Sequence, residues 1–233
     1  LSLGSDTGGS VRNPASHCGI YGLKPAYGSV SRYGLIDLAM SLDQIGTISR
    51  DLQGCKLLFD IIKGRDERDA TTLENNEIKK RKDITFGYLD LTCDENVKIE
   101  YDRLIKRIGE KYRIKLVKIN YIELAIATYV PLVYVEFFSA TRRFDGRKYG
   151  AWIEDVAGPE VMRRILGGGM ISKAEYASRY YRKSLAVKEL IRKEFLRVLK
   201  DVDCILSPTV PKLPHEIGAS IRIEDMYNYD ALT

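Results

Sequence analysis

Gly4-Ser5-Asp6-Thr7-Gly8-Gly9-Ser10-Val11-Arg12-Asn13-Pro14 is the stretch on which the reading of this chain turns. A short apolar lead-in, Leu1-Ser2-Leu3, runs into a glycine pair placed directly before a serine. Paired glycines let the backbone turn sharply and clear side chains from the space above the Ser10 Oγ. The successive amides of Thr7, Gly8, Gly9 and Ser10 can then converge on a developing oxyanion, with Ser10 as a nucleophile that needs a base. Asp6 and Arg12 are charges in an otherwise small and apolar segment, and are expected to hold the loop by hydrogen bonds. A phosphate-cradling loop would need Gly-Lys-Ser/Thr, and no lysine precedes Lys24. On these residues alone a plain glycine-rich turn stays open. A Ser-His-Asp triad stays open too, although His17 is too close in sequence to swing freely and His215 lies in a proline-flanked loop.

Outward from this loop, residues 1–50 carry many glycines and short apolar runs, which read as tight turns between short strands. Leu52, Cys55, Phe59 and Ile62 recur at helical steps, with Ser49 or Asp51 near the N-cap and Gly64 as the stop. The polar stretch 65–82 reads mostly as a solvated loop. A strand over 84–91, a helix carrying Val97, Tyr101, Leu104, Ile105 and Ile108 on one face, and a strand over 114–119 make a βαβ unit with parallel strands. Ser172-Lys173-Ala174-Glu175 has capping-box spacing and predicts a long helix from Ser172 to about Lys200, with Ala177 and Tyr181 at the head of its buried stripe. Val202–Leu206 reads as a strand stopped by Pro208. The fold class is α/β: a mixed, largely central β-sheet flanked by helices on both faces.

At 45% hydrophobic the chain has material for a substantial core, and a net charge of +5 over 233 residues is too mild for a dedicated nucleic-acid binder. No run of 18 consecutive apolar residues occurs, so no membrane association is expected. Cys18, Cys55, Cys93 and Cys204 form no C-x-x-C pair and with two histidines offer no zinc spacing, so no metal site is expected. They read as reduced thiols, mostly buried, in a cytoplasmic protein, with Cys18 packing rather than reacting. The chain opens without methionine at the end of an apolar run and closes where another begins. The expectation is therefore one domain over residues 1–233, truncated at both ends.

The length of the match around Ser10 goes beyond a glycine-rich turn. Gly-x-Asp-x-Gly-x-Ser-Val-Arg-x-Pro-Ala resembles the second half of the amidase signature, and the likeness continues through Cys18–Pro25, Gly28–Ile36, Ser41–Gly46 and Gly64–Thr71. Val30-Ser31-Arg32-Tyr33-Gly34-Leu35-Ile36, Ser41–Gly46, Arg143–Gly146 with Tyr149-Gly150, and Met226-Tyr227 before Asp230 resemble in particular the A subunits of aspartyl/glutamyl-tRNA amidotransferases. The resemblance implies an amidase signature fold and a glutaminase that releases ammonia from glutamine to amidate Asp-tRNA(Asn) or Glu-tRNA(Gln). It makes Ser10 the acyl-ester nucleophile and the amides of Thr7, Gly8, Gly9 and Ser10 the oxyanion hole. Tyr129, Arg164 and Asp230 become substrate-binding groups: Arg164 for the α-carboxylate, Asp230 for the ammonium. The family's bridging cis-serine and base lysine belong to sequence upstream of Leu1, and Lys24 is not that lysine, so this segment alone is expected to be inactive. No cofactor is implied in this polypeptide. ATP and magnesium are expected at a partner, with subunits B and C as partners and aminoacyl-tRNA held mainly through them. A stand-alone amidase acting on a small amide, or a non-catalytic binding or scaffold remnant, are the alternatives.

Overall fold

A computed structural model describes residues 1–74, 83–177, 179–219, 221, 222 and 225–227. In chain order the elements are β1 (Ser2–Asp6), α1 (Arg12–His17), β2 (Tyr21–Leu23), β3 (Gln44–Ser49), α2 (Leu52–Ile62), β4 (Thr85–Tyr88), α3 (Glu95–Gly109), β5 (Arg113–Leu116), a 3-10 turn (Ile122–Leu124), α4 (Ala125–Thr141), α5 (Ile153–Val156), α6 (Pro159–Ile171), α7 (Ala174–Ala177), α8 (Tyr181–Val198) and β6 (Cys204–Leu206). They fall into two compact units. The first comprises Leu1–Tyr33, Gln44–Asn120 and Arg192–Thr233, and the second Gly34–Asp43 and Tyr121–Ile191.

Strand pairing among the described residues falls into two three-stranded sheets, both in the first unit. One is antiparallel in the order β1-β3-β2, with Asp6 opposite Gln44 and Tyr21 opposite Ser49. Val11, fully buried just after the Gly-Gly-Ser turn, sits over this sheet where three strand residues are glycines. A Cβ on Gly22 would come within 2.9 Å of the Val11 carbonyl oxygen and 2.7 Å of the Ala15 Cβ, and one on Gly46 or Gly4 would press on the Val11 methyls. These glycines let α1 lie close on the sheet, a packing role beyond the turns that their sequence pattern predicts. On the far side α2 begins as expected. Asp51 caps it by accepting from the Gly54 amide at 2.6 Å, and Gly64 breaks the chain away at φ 136°.

The second sheet, β5-β4-β6, is parallel and contains the expected βαβ unit. β4 pairs with β5 from Thr85 opposite Arg113, and α3 makes the crossover. Buried Tyr101 on α3 donates its hydroxyl to the Leu206 carbonyl at 2.8 Å, tying the helix to β6. The polar stretch after Gly64 is more ordered than a solvated loop over its first part. Asp66 accepts from Ser31 and Asp69 from the Arg32 amide, each at 2.8 Å, and Thr72 is buried beneath them. Residues 75–82 of that stretch lie outside the described residues.

The second unit is built on α4 and α6, neither of which the sequence pattern announces. α4 is apolar nearly all round and so shows no stripe; Leu132, Val133 and Tyr134 are buried in it. With the preceding turn it forms a span, Ile122–Thr141, long and apolar enough to cross a membrane by length and composition. In this structure that span packs against α6. The two helices approach through Gly167-Gly168-Gly169, where a Cβ on Gly168 would strike the Tyr134 carbonyl oxygen and the Phe138 Cβ. Glycine costs a helix interior about 1 kcal/mol relative to alanine, so close approach offsets a local penalty here. Gly168→Ala is expected to destabilise the protein by about 1–3 kcal/mol despite the better helix former, as urea denaturation would read. Unchanged or raised stability would show that the helices shift apart freely.

Two expectations are corrected. Ser172 does not start a helix but ends α6. Its φ −73° and ψ −13° are helical, and both its amide (2.9 Å) and its hydroxyl (2.6 Å) donate to the Gly168 carbonyl. An N-cap needs a non-helical backbone and a side-chain oxygen accepting from the turn that follows; this serine is helical and its hydroxyl donates back to the preceding turn. The predicted helix is instead α7 and α8, the latter beginning at Tyr181; the side chain of Ala177 lies outside the described ones. Nor are the thiols mostly buried: Cys55 is, Cys93 is half-buried, and Cys18 and Cys204 are exposed. Small apolar residues are often interior, but Cys18 follows the short helix α1 on its solvent side.

Candidate active site

The loop Thr7–Val11 joins β1 to α1, and one carboxylate organises it. Asp6, at the end of β1, has no solvent exposure. Its Oδ1 accepts from the Gly9 amide at 2.8 Å, and its Oδ2 from the amides of Val11 and Arg12 at 3.2 and 3.4 Å. Arg12 then closes a two-pronged pair, Nε on Oδ2 at 3.0 Å and Nη2 on Oδ1 at 2.9 Å. Burial by itself would push the Asp6 carboxyl up, but Arg12 and the Gly9 and Val11 amides outweigh it and hold it below its ordinary value. Val11, the N-cap of α1, offers no side-chain cap, so Asp6 serves from the strand. Asp6 and Arg12 hold the loop as the sequence predicts.

The consequence for Ser10 is geometric. Gly9 takes φ 125°, open only to glycine, and Ser10 stands exposed at the head of α1. Of the amides assigned to an oxyanion, that of Gly9 already donates to Asp6, so this donor faces the buried carboxylate. Lys24, just past β2, donates its Nζ to the Pro25 carbonyl at 2.9 Å. Burial lowers its ammonium below the ordinary value, the Arg12 charge adds to this, and Asp6 opposes it. His17 lies in the last turn of α1.

Of the other predicted site residues, Tyr129 and Arg164 belong to the second unit. Tyr129 is half-buried on α4 and Arg164 half-buried on α6, while Asp230 lies outside the described residues. Arg164 donates Nε to Glu160 at 2.8 Å, and Arg163 holds the same carboxylate by two bonds at 2.7 and 2.8 Å. Hydrogen bonds from Arg163 bring the Glu160 carboxyl down to about 2 against partial burial, and Arg164 adds to the lowering. Glu160 is the group that sequence reasoning missed; its spacing of four residues from Arg164 on one helix was the available signal. Glu136 on α4 likewise accepts from the Ser41 amide (2.9 Å) and hydroxyl (2.6 Å), anchoring the Gly34–Asp43 segment to this unit. Among the described residues no three His, Cys, Asp or Glu side chains are grouped to hold a metal ion.

The family model described as Amidase matches residues 1–233, the whole chain. The chain belongs to the amidase family. Among amidases, the A subunit of glutamyl-tRNA(Gln) amidotransferase from Methanocaldococcus jannaschii is 48% identical over 241 residues, covering 100% of this chain and 55% of that protein. Its namesake in Methanothermobacter thermautotrophicus is 47% identical and is covered over 53% of its length. The crystal structure of the glutamyl-tRNA(Gln) amidotransferase A subunit from Thermotoga maritima superposes with a TM-score of 0.79 at 35% identity, over 99% of this chain and 51% of that one. The amidase fold extends to 6-aminohexanoate cyclic dimer hydrolase at TM-score 0.76 and 18% identity. The chain thus spans about half the length of the curated amidases it matches, and its fold is the amidase signature fold.

Proposed function

We propose that a full-length protein carrying this chain is the glutaminase subunit of a tRNA-dependent amidotransferase. The observation that carries this is the exposed Ser10 on a loop pinned by buried Asp6, within a chain so similar to amidotransferase A subunits. Ser10 Oγ attacks the side-chain amide carbon of glutamine and passes its proton to a base, a lysine acting through a cis-serine from sequence outside these residues. Loop amides other than that of Gly9, which is held by Asp6, stabilise the oxyanion. The C–N bond breaks, the proton goes to the leaving nitrogen, and ammonia departs. Water then attacks the acyl-ester, glutamate leaves and Ser10 is restored. Ammonia passes to a partner subunit that binds ATP and magnesium and amidates Asp-tRNA(Asn) or Glu-tRNA(Gln). Subunits B and C are the partners, the tRNA is held mainly by them, and the assembly works in the cytoplasm.

In this reading Arg164, Asp230 and Tyr129 bind glutamine, Arg164 taking its α-carboxylate and Asp230 its α-ammonium. A planar guanidinium suits a carboxylate, and the substrate carboxylate would share or displace Glu160. The hold of Glu160 on Arg164 is also the observation that favours the other reading, a stand-alone amidase for simple amides. Steady-state kinetics of the full-length protein separates them. Arg164→Ala or Asp230→Ala is expected to lower kcat/KM for glutamine roughly a hundredfold, while hydrolysis of propionamide changes little. Near-wild-type glutamine efficiency in both variants would make these residues surface charges and leave the simple amidase.

A further inference from the structure

We propose that Glu160 positions Arg164 for the α-carboxylate of glutamine, holding the guanidinium by one nitrogen so that its two terminal nitrogens take the substrate together. The inference rests on the amidotransferase reading above, in which Arg164 binds that carboxylate. Every side chain in it belongs to the second unit. Glu160 lies in the first turn of α6, where the helix dipole favours an anion. Residues three and four positions further on share its face, and Arg163 and Arg164 both converge on it. Arg164 gives only its Nε, at 2.8 Å, and among the described residues its terminal nitrogens make no bond.

Three features make Glu160 a support for the substrate rather than its rival. First, its carboxylate is gripped by both Nε and Nη2 of Arg163, at 2.8 and 2.7 Å, so it stays in place when its single bond to Arg164 is disturbed. Arg163 is fixed in turn: its Nη1 donates to the hydroxyl of Tyr134, a buried side chain of α4 against which Gly167 packs. Second, two guanidiniums and one carboxylate leave one positive charge over, and one incoming carboxylate neutralises it. Third, an arginine already held by Nε gives up less rotamer freedom when the substrate binds. A lone surface pair would matter little, but a forked pair within a network is the case that does.

Steady-state glutamine hydrolysis by the full-length protein tests this, with propionamide as the substrate that lacks an α-carboxylate. Glu160→Gln keeps an accepting oxygen and loses the charge. It is expected to raise KM for glutamine roughly tenfold with kcat within about twofold, and to leave propionamide kinetics unchanged. Arg163→Gln, which loosens Glu160 from its other side, should raise KM in the same direction by less. In an Arg164→Ala background the effect of Glu160→Gln should vanish, because Glu160 acts only through that arginine. A lower KM in Glu160→Gln would make Glu160 a competitor for Arg164 and overturn the proposal; so would an unchanged KM. A rise that persists without Arg164, or an equal loss on propionamide, would give Glu160 a purely structural role and overturn it too. In each of these outcomes Arg164→Ala still lowers glutamine efficiency, and the glutaminase reading stands. Arg164→Ala with near-wild-type glutamine kinetics instead overturns that reading of Arg164 and this inference together.

Discussion

Ser10→Ala in the full-length protein is expected to abolish glutamine-dependent amidation and leave ammonia-dependent amidation at the wild-type rate. Removing the nucleophile of a serine hydrolase lowers kcat by roughly 10⁴–10⁶-fold, because the covalent route disappears and only weak background hydrolysis remains. Supplied ammonia bypasses that step, and the partner's chemistry is untouched. Since Ser10 is exposed and its loop is held by Asp6 rather than by its own hydroxyl, folding should not respond. Parallel assays of aminoacyl-tRNA amidation with glutamine and with ammonium chloride decide it. Equal loss of both activities would give Ser10 a structural role and remove it from catalysis.

Asp6→Ala carries the largest expected effect on stability. It leaves the Arg12 guanidinium and the amides of Gly9 and Val11 without their shared acceptor, in a site where Asp6 has no exposure and Arg12 retains 27%. Breaking one side of a buried pair costs about 3–5 kcal/mol; the exposure of Arg12 places the expectation at the lower end. The thermal midpoint of the full-length protein should fall by several degrees. Asp6→Asn keeps the shape and one accepting oxygen, and isolates the charge. The wild-type carboxyl is lowered on folding, so its advantage over asparagine is fully present above the ordinary aspartate value of about 3.9. It is lost as pH falls through the lowered folded value. Thermal midpoints of the two proteins should therefore converge in acid. A constant gap, or none at neutral pH, would remove Asp6 as the charge that holds the loop.

The residues whose local chemistry dictates their conformation were legible in the amino-acid sequence. Gly8-Gly9-Ser10 announces a turn over an exposed hydroxyl, because glycine alone reaches φ 125° cheaply. Asp6 and Arg12 announce the loop's hydrogen bonds, because a buried charge requires partners. Asp51 and Gly64 bound α2 through backbone donors and left-handed geometry, and the change of period between β4 and α3 marks the parallel unit. Tertiary structure alone decided the rest. α4 is apolar nearly all round, so no stripe reveals which face packs, and nothing in the glycine triplet of α6 shows by itself that Tyr134 lies against it. Gly4, Gly22 and Gly46 pass for turn residues, yet they sit in strands because Val11 occupies the space their side chains would take. Ser172 has the spacing of a cap, but the helix before it had not ended. Spacing along the chain records which donors and acceptors lie within a turn of one another; which atoms from distant segments compete for one volume is set only when the helices and strands meet.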